Sequence, residues 1–261
     1  MDHKEAGTYW NDNAEAWTAL SRAGYDIYRD YLNTPAFFDI LPDIKGLYGI
    51  DIGCGEGFNT RLIAEKGAVV EGIDISEKFI YEAKSFETEH QLKINYQVSS
   101  ALALPFSNDT FDFAVSFMCF MDIPENESAF KEAFRVLKHG GFLQFSIAHP
   151  CFDTPHRKNL RDKNGITYAI EVGDYFKNIH GRIDEWTFGS APFELKNKYN
   201  KFKTPRFTKS LSQWLNALVK AGFIIEHVNE PYPDDEVVKE HPELQDSCVV
   251  SYFLHIRCRK P

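Results

Sequence analysis

The residues with the clearest chemical potential lie in the segment IDIGCGEG, Ile50–Gly57, which places three glycines within five positions after a short apolar run. Glycine at this density weakens a strand or a helix, and Gly53 and Gly55 let the backbone turn sharply and approach a ligand without an intervening Cβ. A helix starting near Phe58 would point free backbone N–H groups at the same place. By itself, such a cluster is typical of NAD sites, nucleotide sites and purely structural turns.

Two carboxylates help to decide between these kinds of site. Asp74 ends the next apolar run about 20 residues beyond the glycine loop, where an acidic side chain can accept hydrogen bonds from both ribose hydroxyls. Asp51 suits a ligand that carries an ammonium group, whereas it would repel a pyrophosphate. The G-x-G-x-G spacing also differs from the G-x-G-x-x-G of dinucleotide sites. The pair predicts a nucleoside site, and a helix-capping role for Asp74 and an NAD-dependent oxidoreductase stay open as alternatives.

Alternating strand and helix patterns must position these residues. Apolar runs predict strands at Gly46–Gly53, Ala68–Ile75, Lys93–Ser99, Phe111–Phe120, Phe142–Pro150, Phe223–Glu230 and Asp246–Cys258. Helical patterns lie at Asn59–Lys66, Glu77–His90, Glu125–Gly141 (closed by its two final glycines) and Leu211–Phe223. This alternation predicts an α/β fold, a doubly wound parallel sheet with right-handed crossovers. In such sheets, ligands bind beyond the carboxyl ends of the strands.

The alternation breaks between Cys151 and Lys209, over a stretch too long for a simple connection. We interpret it as an inserted lid. The predicted division is a helical arm at 1–45, a core at 46–150, the lid at 151–209 and a C-terminal completion of the sheet at 210–261. Between His156 and Lys209 there are 12 Lys/Arg and 6 Asp/Glu, so this segment carries +6 and the rest of the chain −15. The excess predicts either a solvated surface or a basic lid that attracts an anionic substrate.

Composition excludes several classes of protein. The net charge of −9 argues against broad nucleic-acid binding, and five scattered cysteines without a CxxC pair predict reduced thiols in a cytoplasmic protein. No apolar run approaches the length of a membrane span, and the polar N-terminus does not resemble a signal peptide. No spacing predicts a metal site or a hydrolase nucleophile.

Four motifs, IDIGCGEG, GIDIS, LPFSNDTFDFAVS and AFKEAFRVLKHGGFLQFS, resemble in order and spacing those of class I S-adenosylmethionine-dependent methyltransferases. The resemblance is closest to the bacterial branch that acts on small molecules, and it is strong over about residues 46–150. It implies a Rossmann-like, mostly parallel seven-stranded sheet with a lid inserted after the fifth strand. It also implies S-adenosylmethionine as the methyl donor and S-adenosylhomocysteine as the product.

The resemblance implies a cofactor site position by position. Asp51, Gly53, Cys54 and Gly55 would lie along the methionine moiety, and Asp74 would hold the ribose hydroxyls. The residues expected around the adenine, the floor of the site and its N-terminal cover are Ile75, Ser100, Ala101, Leu102, Phe117, Tyr9 and Trp10. Many relatives have an aspartate before the adenine-binding alanine, and Ser99–Ser100 stands there in this chain. We therefore expect a weaker adenine contact.

The acceptor side is less specified. His149, just past the fifth strand, is the candidate general base, and an orienting role in its loop is the alternative. Tyr175, His180, Trp186 and Arg206 are candidates to line the acceptor pocket. Relatives often carry a His–Arg pair where this chain has Pro205–Arg206, which argues against a histidine-based mechanism from that side.

The predicted function is methyl transfer to a small, anionic metabolite. An RNA methyltransferase and a non-catalytic regulatory protein that binds the donor or its product are the alternatives. The sequence does not identify the acceptor, the attacked atom or the oligomeric state.

Overall fold

The structure is a computed structural model that describes all residues, 1–261. Its strands are β1 Tyr48–Ile52, β2 Val69–Asp74, β3 Asn95–Val98, β4 Phe111–Phe117, β5 Leu137–Ala148, β6 His156–Arg161, β7 Thr167–Gly173, β8 His180–Trp186, β9 Phe202–Phe207, β10 Ile224–Asn229 and β11 Phe253–Arg259. Seven of them form one sheet in the order β10-β11-β5-β4-β1-β2-β3. Strand β11 runs antiparallel to its two neighbours, and all other pairs are parallel. The predicted mostly parallel, seven-stranded fold is confirmed.

Helices cover this sheet and its carboxyl edge. The α-helices are α1 His3–Arg22, α2 Thr34–Asp39, α3 Phe58–Glu65, α4 Glu77–His90, α5 Asn126–Val136, α6 Phe193–Lys198, α7 Leu211–Ala221 and α8 Asp235–Glu240, with a π-helical turn at Arg29–Asn33 and 3₁₀ turns at Phe120–Asp122 and Pro242–Cys248. Ser76 caps α4 by accepting a bond from Phe79 N, and Ser210 forms a capping box with Gln213 at α7. None of the helices combines the length and apolar character that a membrane crossing requires.

The central strands are held by apolar layers on both faces of the sheet. One layer packs α5 and α7 against β4, β5 and β11 and includes Phe130, Phe145 and Trp214. The opposite layer includes Phe37 and Phe113. A strand buried on both faces reads as a continuous apolar run, which is why β4 could be located from sequence. This packing fixes the ends of β1, β2 and β4, where the candidate site lies.

Several predicted elements have different bounds in the structure. The strand predicted at Phe111–Phe120 ends at Phe117, and the one predicted at Phe142–Pro150 already begins at Leu137. The helix expected to reach Gly140–Gly141 ends at Val136, because Leu137 pairs with Phe111 and buries its side chain in the sheet core. An apolar Leu137 continues a helical period as well as it begins a strand, so periodicity could not separate the two. The final strand begins at Phe253 and not at Asp246, because the preceding residues form the 3₁₀ turn that buries Leu244.

The segment between β5 and α7 has regular structure that its sequence did not reveal. It contains two antiparallel pairs, β6–β7 and β8–β9, which form small sheets separate from the main one. Helix α1 contacts β9 and α4, so the N-terminal arm connects the inserted segment to the sheet. The division at residues 45, 150 and 209 stays a prediction, and the element bounds fall near these borders.

The close approach of β1 to β4 gives a stability prediction. A Cβ added to Gly49 would lie 2.1 Å from Phe113 Cζ in the buried layer, whereas one added to Gly189 would meet nothing within 4 Å. We expect Gly49→Ala to lower the free energy of unfolding by about 1–3 kcal/mol through overpacking. Gly189→Ala should stay within about 0.5 kcal/mol of the parent. Urea denaturation measures both, and equal stability of the two variants would contradict the packing of β1.

Candidate cofactor and acceptor site

A cavity of about 700 Å³ lies at the carboxyl edge of the sheet. Its walls come from the segments that follow β1, β2 and β4, from α1, from the π-helical turn and from the β8–β9 pair. This is the edge at which doubly wound sheets bind ligands. The cavity therefore joins residues of the sheet, the N-terminal arm and the inserted segment in one continuous space.

The glycine loop forms the floor of one end of the cavity. Gly53, Gly55 and Gly57 all have positive φ angles, which explains why other residues would be strained there. The N–H groups of Gly53 and Cys54 donate to Ile73 O (2.8 and 2.9 Å), which ties the loop to β2. A Cβ added to Gly55 would meet no atom within 4 Å, so it would project into open space. The loop thus presents bare backbone to the cavity.

Asp51 is a buried carboxylate with one unused oxygen. Its Oδ2 accepts a bond from Thr60 Oγ1 (2.6 Å), while its buried Oδ1 has no partner. Burial raises the pKa of Asp51 to about 7, and the charge of Asp74 contributes in the same direction. An unpartnered carboxylate oxygen in a cavity wall fits a ligand group that carries positive charge and N–H donors.

Asp74 is aligned by backbone donors. Gly55 N donates to its Oδ2 (2.9 Å) and Ser76 N to its Oδ1 (2.8 Å), so both carboxylate oxygens are fixed in direction. Each oxygen retains a second lone pair. Burial raises the pKa of Asp74, and the backbone bonds oppose that shift. The geometry fits a pair of vicinal hydroxyl donors.

The structure brings most of the predicted cofactor residues together around this end of the cavity. Those that line it are Trp10, Asp51, Gly53, Cys54, Gly55, Asp74, Ile75, Ser100, Ala101, Leu102 and Phe117. Tyr9 is half-buried beside them on α1 and does not line the cavity. Gly7 of α1 packs so closely on Ile75 that an added Cβ would lie 2.9 Å from Ile75 Cδ1. Their roles toward a cofactor stay predictions.

Two of the four predicted acceptor residues line the other end of the cavity. Trp186 and Arg206 belong to its wall, whereas Tyr175 and His180 do not. Tyr175 Oη accepts a bond from Leu211 N (2.7 Å) and so braces the start of α7. The Arg206 guanidinium donates to Asp153 O and Oδ1 (both 2.8 Å) and thus holds the inserted segment together.

His149 occupies a different position from the one expected of a general base. It does not line the cavity and is only 2% exposed. Its Nε2 donates to Glu230 Oε1 (2.6 Å), and its Nδ1 accepts from Cys151 N (3.2 Å). Both ring nitrogens are thus engaged, and burial lowers the pKa of His149. This geometry favours the alternative in which His149 orients its loop, and the catalytic role stays a prediction without geometric support.

Sequence reasoning missed several residues of the wall. Asp26, Asp122 and Tyr252 line the cavity, as does Trp17 of α1. Asp122 could have been found, because it follows the end of β4 by five residues and the ends of parallel strands meet at the ligand edge. The others reach the cavity through contacts between distant segments, for which the sequence carries no local signal.

Comparison with known proteins agrees with this geometry. Residues 50–145 match a family model described as "Methyltransferase domain". A crystal structure of an S-adenosylmethionine-dependent methyltransferase from Mesorhizobium loti is similar to 86% of this chain and 96% of that one, with a TM-score of 0.70 and 28% identity. Residues 50–145 thus match a methyltransferase domain, and the chain has the fold of S-adenosylmethionine-dependent methyltransferases.

Two curated relatives extend the comparison. A ubiquinone biosynthesis O-methyltransferase of Coxiella burnetii is 34% identical over 149 residues, which are 55% of this chain and 62% of that protein. The chain thus spans less than two thirds of that relative. An uncharacterized protein of Haemophilus influenzae is 27% identical over 267 residues, covering 99% of this chain and 98% of the relative.

The residues present fit the methyl donor of this family. S-adenosylmethionine carries an ammonium group, a ribose diol and an adenine. The unpartnered oxygen of Asp51 can accept a hydrogen bond from the ammonium group, and the aligned carboxylate of Asp74 can accept those of the ribose diol. The open space above Gly55 is where a side chain would block such a ligand.

The buried Asp51 predicts a pH-dependent stability difference. A carboxyl whose pKa is raised on folding stabilises the protein below its unfolded pKa near 4, and this contribution is lost as the pH rises through the folded value of about 7. Without ligand, Asp51→Asn should therefore gain stability relative to the parent between pH 5 and pH 8, by on the order of 2–4 kcal/mol.

Urea denaturation at the two pH values measures this difference. Asp39→Asn, at an exposed carboxylate, serves as the matched control and should show none. A parent–Asp51→Asn difference that is the same at both pH values would show that Asp51 is not a buried, pH-sensitive carboxyl.

Proposed function

We propose that this protein transfers the methyl group of S-adenosylmethionine to a small organic acceptor held between the sheet and the inserted segment. The observation that carries the proposal is the unpartnered Oδ1 of Asp51, buried beside the aligned carboxylate of Asp74 at one glycine-rich turn. An adenosine that carries an amino acid satisfies both carboxylates at once. NAD, with its pyrophosphate, would set negative charge against Asp51.

In this proposal, each predicted residue has a defined task at the donor. Asp51 receives the ammonium group, Asp74 receives the ribose hydroxyls, and the backbone of Gly55 lies along the amino-acid chain. Ile75 packs on the adenine, and Ser100 to Leu102 lie at its edge. Ser100 Oγ already accepts a bond from Leu102 N (3.2 Å), so it can accept at most one further hydrogen bond, and that bond would be a neutral one.

The bound donor supplies an electrophilic methyl group on a sulfonium centre. The chain's own contribution is to hold the acceptor at attack distance and to exclude water. Helix α1 and the β8–β9 pair cover the cavity from the side opposite the sheet. The aromatic faces of Trp10 and Phe117 lie in the wall, where contact with the positive sulfur would contribute about 0.5–2 kcal/mol.

A small acceptor is supported by the position of the inserted segment. Trp186, Phe188 and Arg206 of this segment form part of the cavity wall. They leave a covered space beside the donor end, which is the part of the cavity lined by the glycine loop, Asp51 and Asp74. This covered space supports a small molecule, and not RNA, as the methyl acceptor. The continuity of the space from the glycine loop to Trp186 supports catalysis over binding alone.

The predicted anionic character of the acceptor has less support. It was based on the 12 Lys/Arg between His156 and Lys209, but only Arg206 and Lys209 line the cavity. The Arg206 guanidinium is already engaged by Asp153 and Asp184. The basic excess therefore belongs mainly to the outer surface of the inserted segment.

Two ligands separate the tasks of the two carboxylates. S-adenosylhomocysteine carries the amino-acid group, whereas 5′-methylthioadenosine has the same nucleoside without it. Asp74→Asn should weaken both ligands by roughly 10–100-fold, because charge-assisted hydrogen bonds to the ribose are worth about 1.5–3 kcal/mol. Asp51→Asn should weaken only S-adenosylhomocysteine. Isothermal titration calorimetry measures both dissociation constants.

Asp39→Asn is the control and should bind both ligands like the parent. Thermal melting of each variant establishes that it is folded. Binding of NAD by the parent without binding of either adenosine ligand would overturn the proposal, and so would equal weakening of both ligands by Asp51→Asn.

Transfer itself is tested with S-adenosylmethionine labelled in its methyl group and a panel of small metabolites. We expect label in at least one organic product with the parent, and at least a tenfold lower rate with Asp74→Asn. Label that appears only in RNA, or in no acceptor while S-adenosylhomocysteine binds, would replace the proposal with one of the two alternatives.

A further inference from the structure

The cavity wall contains more acidic than basic side chains. It contains eight carboxylates and three Lys/Arg side chains. Asp51 and Asp74 belong to the donor end, and Glu56 is neutralised by Arg22 and Arg61. Of the remaining five, Glu243 is exposed, whereas Asp26, Asp122, Asp153 and Asp184 are half-buried. The pairing of these four decides which kind of acceptor group the cavity accommodates.

Most of these acceptor-side carboxylates already have partners within the protein. Asp153 and Asp184 share Arg206 at 2.8 and 3.4 Å. Asp26 lies 4.0 Å from Arg29 and accepts a bond from its backbone N–H. These pairs hold the arm and the inserted segment in place, so they are not free to receive a ligand.

Asp122 is different. Its carboxylate makes no salt bridge within 4.0 Å, and no residue donates a hydrogen bond to it, although the side chain lines the cavity and is half-buried. Burial raises the pKa of Asp122 well above its usual value, and the charge of Asp153 adds to the shift. A carboxylate in this environment gains more than an exposed one from a cationic, hydrogen-bonding ligand.

Asp122 lies between the donor end and the acceptor end. It ends the 3₁₀ turn Phe120–Asp122, just beyond β4. The preceding Cys119 packs against the glycine loop so closely that a Cβ added to Gly53 would lie 2.2 Å from its Sγ. Asp122 also lies near enough to Asp153 of the inserted segment for the charge of Asp153 to act on it.

Another part of the same cavity wall is aromatic. Trp17 packs edge-on against Trp186 and Phe188 at 5.5 and 5.1 Å, and all three line the cavity. Aromatic faces attract organic cations, by about 0.5–2 kcal/mol for each contact. One cavity thus contains a carboxylate without a partner and a group of aromatic rings, the two kinds of side chain that receive alkylammonium groups.

We propose that Asp122 binds a protonated amine of the acceptor, so that the methylated atom is nitrogen. This inference rests on the proposed methyltransferase function and specifies its substrate class. Asp122 first pairs with the ammonium group and then takes one N–H proton. The freed nitrogen lone pair forms the new N–CH₃ bond as the methyl–sulfur bond breaks, and that bond's electron pair stays on sulfur, which becomes a neutral thioether.

Lys209 supports the competing class, an anionic acceptor. It is the one cavity-lining Lys/Arg without a carboxylate partner, and its Nζ donates to Asn126 Oδ1 (2.7 Å). That bond already satisfies one of its protons, and burial lowers the pKa of Lys209. The observations therefore favour the amine, and the anion is an outcome that the experiment must be able to show.

The experiment measures binding to protein saturated with S-adenosylhomocysteine, so it does not depend on turnover. The probes are amine, alcohol and carboxylate forms of the same skeletons, such as benzylamine, benzyl alcohol and benzoate, and the phenethyl and indolylethyl series. Tryptophan fluorescence reports occupancy of a cavity that contains Trp17 and Trp186. We expect at least one amine to bind tenfold or more tightly than its alcohol and carboxylate counterparts.

Asp122→Asn should abolish this tenfold preference and leave affinity for S-adenosylhomocysteine within twofold of the parent. Asp122→Ser provides a second variant if the first does not fold. Asp39→Asn is the matched control and should retain the preference. Methyl transfer to the preferred amine, followed with labelled donor, should fall at least tenfold in Asp122→Asn.

Each other outcome overturns the inference. Carboxylate probes that bind best and lose affinity in Lys209→Met would establish an anionic acceptor. Probes that bind equally, or that do not bind at all, would show that Asp122 does not select an amine. A failure of the methyltransferase proposal is recognised separately, because the parent would then not bind S-adenosylhomocysteine.

Discussion

The structure depends on the burial of two carboxylates, Asp51 and Asp74, at the carboxyl ends of neighbouring strands. Burying a charged carboxylate costs free energy, because it is removed from water. Two backbone N–H groups offset part of this cost for Asp74, and one hydroxyl group does so for Asp51, but the pKa of each stays raised. The glycine loop is needed because it brings the Gly55 N–H to Asp74 while leaving open space above it. The remaining cost is what a ligand with complementary donors relieves.

This constraint explains why other parts of the chain lie where they do. Helix α1 reaches the end of β2 through the close contact of Gly7 with Ile75, and it carries Trp10 and Trp17 into the cavity wall. The inserted segment is fastened by Arg206, which bonds Asp153 and Asp184. The arm and the insertion thus shape the acceptor space around a donor end that the sheet alone positions.

The proximity of Asp51 and Asp74 could be predicted from sequence because its determinants are local. Asp51 and Asp74 each end an apolar run, and parallel strands that are neighbours bring such ends together. The acceptor end could not, since its contacts join distant residues. His149 is separated from its partner Glu230 by 81 positions. Whether Tyr175 faces the cavity depends on how its segment packs, and here it braces α7 instead.

Segment charge and cavity charge are different quantities, and the inserted segment illustrates the difference. Its +6 excess is spread over an exposed surface, where water and salt screen each charge within about 10 Å. The cavity responds to the few groups in its wall, and there the carboxylates outnumber the cations. A single partly desolvated carboxylate such as Asp122 therefore outweighs the ten lysines and arginines of this segment that lie outside the cavity wall in selecting a ligand. The acceptor class follows from the pairing of wall residues, and that pairing is visible only once the fold has brought Arg206 to Asp153.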